Sequence, residues 1–159
     1  VAYIFDRSPN YLITVLMIYI GNFIGTGLVG WLMPMTRYGS GLVAAANTIV
    51  DAKLSDNFVS IFIFAAFCNF VIFAACDGYH QVKHELGKYI GLFLGVAVFI
   101  LCGFEHCIAN MGIFVVSLGL VDGLSVGLML KSMLIVTIGN MVGGALLLAW
   151  PLRKMSADK

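Results

Sequence analysis

Charge is scarce in this chain. Of 159 residues only 11% are Asp, Glu, Lys or Arg, whereas 61% are hydrophobic, and the mean hydropathy is +1.01. A soluble domain is about a quarter charged and about half apolar, so a water-soluble globular protein is excluded and a membrane protein is implied. The nine Lys and Arg nearly balance the eight Asp and Glu, giving a net charge of +1 with no basic stripe, so a nucleic-acid partner is not expected. The four cysteines (Cys68, Cys76, Cys102 and Cys107) contain no CxxC pair and no spaced Cys/His box. A disulfide framework is therefore unsupported, and they read as small buried hydrophobes. No cleavable signal peptide is visible. The chain begins with Val1 rather than Met, so the natural N-terminus is expected further upstream.

What the chain has in quantity is long apolar runs. No charged residue lies between Arg7 and Arg37, where Pro9 can start a helix and Pro34 can end it. Residues 57–76 and 132–152 are likewise uncharged and apolar. Each run is about as long as the ~20 residues a spanning helix needs.

A further segment, Tyr89 to Val121, has 33 residues, and only Glu105 and His106 in it are titratable apart from cysteine and tyrosine. As one straight helix it would measure roughly 50 Å, far beyond a ~30 Å hydrocarbon core. The polar pair sits at its midpoint, directly after Gly103 and Phe104. The spacing predicts a discontinuous helix: one half over about 89–102, a break near 103–107, and a second half to about 119. Irregular backbone at membrane depth is tolerated only where protein or a cavity surrounds it. A single long tilted helix is the alternative. The expected organisation is one transmembrane domain over 1–159, with spans at 9–34, 57–76, 89–120 (broken) and 132–151.

If each span crosses once, one side holds Arg7, Lys83, Lys88, Arg153, Lys154 and Lys159, and the other holds Arg37, Lys53 and Lys131. The excess of positive charge places both termini in the cytoplasm.

Two stretches resemble each other: IGNFIG at 20–25 and IGNMVG at 138–143. Both carry Gly-Asn and the GxxxG spacing that lets helices approach closely. Both precede a Trp/Pro end, Trp31 with Pro34 and Trp150 with Pro151. Two independent packing motifs would look the same. If the units are equivalent, the second copy follows a plain span and a broken span, and the first copy lacks both. Three spans per unit would invert the second, an arrangement found in many transporters. The chain is then expected to hold the last third of one repeat and the whole of the other.

These motifs carry a family resemblance. GFEHCIANM (103–111) in a broken span resembles the signature of the formate–nitrite transporter family. FCNF (67–70), VTIGNMVGG (136–144) and YIGNFIG (19–25) are similar to its fourth, sixth and third spans. The likeness implies an all-α integral membrane protein, an aquaporin-like inverted-repeat helical bundle, represented here by spans three to six. It also implies a homopentamer in a cell membrane, one pore per protomer, and passage of formate, nitrite or hydrosulfide, with or without a proton. No cofactor is implied.

The resemblance assigns His106 the central position in the pathway. A neutral imidazole can donate a hydrogen bond to a passing anion, or lend it a proton and remove the charge that makes crossing costly. A core histidine bonding two helices is the plainer reading, although an ionisable group inside a membrane is functional by default. Asn69 is implied as a pore-side partner, with interhelical polar glue as its alternative. Phe99, two turns before His106, is implied to narrow the pore, or else it packs against lipid or core. Lys53 is implied to draw anions to the outer vestibule, or else it is a solvated charge in the loop between the first two spans. Gly103 and Glu105 are read as making and satisfying the break, because neighbours on a helix diverge by about 100° and a carboxylate facing an anion pathway would repel it. Asn110, one turn beyond His106, is read as a capping or packing residue where the helix resumes.

The rival from another class is a haem- or metal-binding redox protein. His80 and His84 stand at i, i+4 and can share a metal if helical, but only His106 lies deep in a span. An enzyme is not expected, since Glu105 and His106 lack a nucleophile or metal partner.

Overall fold

The computed structural model describes residues 9–157. Arg7 and Lys159, two of the cations used above for orientation, lie outside the described residues. Helix α1 (Pro9–Leu32) starts on a proline, whose missing N–H is not needed in a first turn. It closes in a 3-10 turn, Met33–Met35, centred on Pro34. Helix α2 (Gly39–Ser55) and helix α3 (Phe58–Gln81) follow. Helices α4 (Glu85–Leu101) and α5 (Cys107–Leu118) are separated by an interruption. Helix α6 (Val126–Met141) widens into a π-helical stretch, Val142–Ala149, and continues as α7 (Trp150–Ala157). Among the described residues there is no strand. Among the described residues, three helical runs are long and apolar enough to cross a membrane: Pro9–Met35, Phe58–Gln81 and Val126–Ser156. Cys107–Leu118 is a shorter apolar helix. The protein is an all-α integral membrane protein.

Helix α2 differs from expectation. Hydropathy alone makes the stretch between the first two spans a loop, because Ser40, Asn47, Thr48, Asp51 and Lys53 interrupt it. Its apolar residues instead follow the four-residue spacing of one helical face: Ala46 and Val50 are buried and Leu54 is partly so. Lys53 accordingly sits in the last turn of α2, not in a loop.

The chain forms two compact units. One comprises residues 9–58 and 107–135. In it, a core of Val50, Phe114 and Met129 is packed by Leu54, Ile113 and Met133. Helix α1 meets α5 at Gly30, where an added Cβ would lie 2.9 Å from the Gly112 carbonyl oxygen.

The other unit comprises residues 59–106 and 136–157. Its helices approach through small residues. A Cβ on Gly95 of α4 would lie 2.5 Å from the Ala75 Cβ of α3. On the run continuing from α6, a Cβ on Gly139 would lie 2.6 Å from the Ala65 Cβ, and one on Gly143 only 1.9 Å from the Ala66 carbonyl oxygen. The GxxxG of the second IGNMVG copy is thus a seat for α3, with backbone against backbone.

Candidate functional site

The interruption begins as a helix terminus. Cys102 N–H still reaches the Val98 oxygen at 2.9 Å. Gly103 N–H then donates to Ile100 O at 3.1 Å and Phe104 N–H to Phe99 O at 3.0 Å. This pair of bonds is the Schellman pattern, which requires a left-handed residue just past the cap. Gly103 supplies it with φ +65°. The last carbonyls of α4 are therefore partly satisfied by the chain's own reversal. The next residues are non-helical until α5 starts at Cys107.

The backbone between the helices is held from α6. Asn140 is 4% exposed, and its side-chain amide donates 2.8 Å bonds to the Glu105 carbonyl of the interruption and to the Ala65 carbonyl of α3. The carbonyl of Asn140 in turn accepts the side-chain amide of Asn69 at 2.6 Å. A Cβ on Gly144 would lie 2.6 Å from that Asn69 nitrogen, so the Gly143–Gly144 pair leaves room both for the α3 backbone and for Asn69. This network ties α3, the interruption and the α6 run together at one level.

His106 is the residue beside the tethered carbonyl. Its half-buried ring lies 5.7 Å from the Phe99 ring, centroid to centroid, at 42°. Phe104 turns toward α3, 6.0 Å from the Phe64 ring and 6.2 Å from the Phe67 ring. Glu105 is buried. Arranged in this way, the site sets one imidazole against an aromatic neighbour and a fixed backbone.

The candidates therefore divide between the two units. His106, Phe99, Asn69, Gly103 and Glu105 belong to one. Asn110 and Lys53 belong to the other. Asn110 is in the first turn of α5 and fully buried. Asn140 is the residue that sequence reasoning missed as part of the site. Its motif was visible as a close-packing repeat, but the carbonyls it serves are 35 and 75 residues away. His80 lies in the last turn of α3 and His84 precedes α4, with non-helical residues between them, so they do not share one helical turn. Among the described residues no group of three His, Cys, Asp or Glu is placed to hold a metal.

An apolar helix interrupted beside a histidine, with the irregular backbone held by a neighbouring helix, defines a helical membrane protein with a polar site at a helix break. The chain belongs to the formate/nitrite transporter family, whose model matches residues 6–153. It is similar to the formate-nitrite transporter of Plasmodium malariae, at 28% identity over 84% of this chain and 46% of that protein. The uncharacterized transporter YwcJ of Bacillus subtilis (strain 168) is 28% identical, over 89% and 57% respectively. The formate channel FocA of Haemophilus influenzae is 26% identical, over 82% and 54%. These names are those of transporters and channels, not of enzymes. The chain spans about half the length of the curated relatives it matches.

Proposed function

We propose that this chain forms part of a transmembrane pathway for a small monovalent anion, formate or nitrite, with His106 as the group the anion meets. The observation that carries this reading is the fixed interruption beside His106. It presents an imidazole within a long apolar stretch, and Asn140 holds the adjacent carbonyl. An imidazole so presented donates a hydrogen bond that replaces part of the anion's hydration. It can also transfer a proton, so that the anion crosses as a neutral acid. Phe99, against the His106 ring, supplies the apolar side that excludes water. Asn69 steadies the α6 carbonyl at that level. Lys53, at the end of α2, raises the local anion concentration at a pathway mouth. Gly103 and Glu105 make and satisfy the interruption, and Asn110 packs the start of α5. The reading includes a cell (cytoplasmic) membrane location, a cytoplasmic C-terminus on the side richer in Lys and Arg, and assembly as a homopentamer. Hydrosulfide is the alternative substrate within the same chemistry.

Flux in proteoliposomes tests the reading. The expected result is formate or nitrite uptake that an inward proton gradient accelerates, reduced at least tenfold by His106→Phe. Unchanged uptake and unchanged pH dependence in His106→Phe would refute the role given to His106.

A further inference from the structure

The helical run that begins at α6 is longer than the hydrocarbon of a bilayer requires. Val126–Ser156 has 31 residues, roughly 46 Å at ~1.5 Å per residue, against a ~30 Å core. Its uncharged residues, 132–152, rise roughly 32 Å and so account for that core. Lys131 stands at one limit of the uncharged stretch, and Arg153 and Lys154 stand at the other. Helix α7 therefore begins where acyl chains give way to headgroups. No Asp or Glu occurs from Val126 to Ala157, so the run carries no carboxylate of its own beside these cations. On α7, Trp150, Arg153 and Lys154 are related as i, i+3 and i+4 and share one face. All three are exposed. Lys154 Nζ lies 5.6 Å from the centre of the Trp150 ring, within cation–π range. Leu152 and Met155, three residues apart on the other side of α7, are exposed as well. Lys131 is placed differently: a single cation with its Nζ 3.8 Å over the Phe58 ring.

We propose that Trp150, Arg153 and Lys154 form a seat for the phosphodiester headgroup of an anionic phospholipid. An indole flanked by cations suits the level where glycerol and phosphate meet, because its ring is apolar and its N–H is polar. The Arg153 guanidinium is a fork that matches two phosphate oxygens, and the Lys154 ammonium adds a point charge beside it. Leu152 and Met155 meet the upper acyl chains of neighbouring lipids, so that both sides of α7 find a fitting partner at one depth. A phosphatidylcholine headgroup brings its own cation next to the phosphate, which two adjacent cations oppose. A phosphatidylglycerol headgroup brings the phosphate charge alone. An acidic protein or a nucleic acid would need this face to stand clear of the headgroups, and the length of the uncharged stretch places it among them. The site is separate from His106 and stands or falls independently of anion transport.

Fluorescence quenching in the natural gene product tests it, with Trp150 kept and every other tryptophan replaced by phenylalanine. The protein is reconstituted in phosphatidylcholine vesicles that hold the same small fraction of one brominated lipid, either phosphatidylglycerol or phosphatidylcholine, with the bromines near the glycerol end of an acyl chain. Each Lys or Arg at an anionic surface favours the charged lipid about fivefold. Brominated phosphatidylglycerol is therefore expected to quench Trp150 at least three times as strongly as brominated phosphatidylcholine. Arg153→Gln combined with Lys154→Gln should bring that ratio to about one, whereas Lys131→Gln should leave it unchanged. Equal quenching by the two lipids before any cation is replaced overturns the proposal, and that measurement needs no cation variant to fold. A preference that survives in the double variant overturns it too. So does a preference lost on adding inorganic phosphate but kept in sodium chloride of the same ionic strength, which would assign the two cations to a free oxyanion.

Discussion

Gly103 is the residue at which α4 stops, and it acts through its backbone rather than through lack of space. A Cβ there would touch nothing within 4 Å, yet φ is +65°. A non-glycine residue in that region costs about 1–2 kcal/mol. Gly103→Ala is therefore expected to lower unfolding stability in detergent by about that amount, with Gly103→Asn milder because asparagine visits this region more readily. Asn140 acts by the opposite means, through its side chain. Asn140→Leu leaves the Glu105 and Ala65 carbonyls without their donor. Interhelical hydrogen bonds in membranes average about 0.6 kcal/mol and reach about 1.7, so a loss of about 1–3 kcal/mol is expected in the same unfolding measurement. Anion flux should fall at least as far as stability alone predicts, because the carbonyl next to His106 is no longer fixed. Asn140→Asp should not rescue it, since an ionised carboxylate only accepts hydrogen bonds. Gly103 and His106 were legible in the sequence because a glycine and an imidazole are conspicuous in an apolar run. The work of Asn140 was not, because it depends on which distant carbonyls α6 happens to face.

At the scale of elements, the sequence announces its long helices through the absence of charge and says less about the rest. α2 is mixed in polarity, and only the spacing of Ala46, Val50 and Leu54 betrays it. The π-helical stretch has no signal beyond the Gly143–Gly144 pair. Such a widening frees backbone positions at the cost of regular bonding and often marks a functional site. Here it coincides with the closest approach of the α6 run to α3. That contact makes a sharp contrast between glycines of similar sequence context. Gly143→Ala drives a methyl into the Ala66 carbonyl, to 1.9 Å from backbone that cannot rotate away. Overpacking of this kind costs typically about 1–3 kcal/mol, and an obstructing backbone puts it at or above the upper end. Gly21→Ala in residues 1–159 meets open space and gains helix propensity worth up to about 1 kcal/mol. Thermal unfolding of the two variants side by side should therefore shift in opposite directions.

For the whole molecule, the bilayer sets the depth at which the site operates. From Tyr89 to the end of α4 the apolar helix rises roughly 20 Å, about two thirds of a ~30 Å core, so the interruption is expected at membrane depth. Cys102 is exposed on the protein surface at that interruption, which makes its thiol a depth gauge. Thiol alkylation proceeds through the thiolate, which needs water or a nearby positive charge. In detergent, where micelles are mobile, Cys102 should react with maleimides. In liposomes it should resist a charged, impermeant maleimide by at least tenfold while an apolar reagent still reaches it. Cys68, fully buried between helices, should resist both until unfolding. Equal labelling of Cys102 by the charged reagent in both settings would put the interruption at the water interface. His106 would then face bulk solvent, where an anion keeps its own hydration and needs no imidazole to replace it.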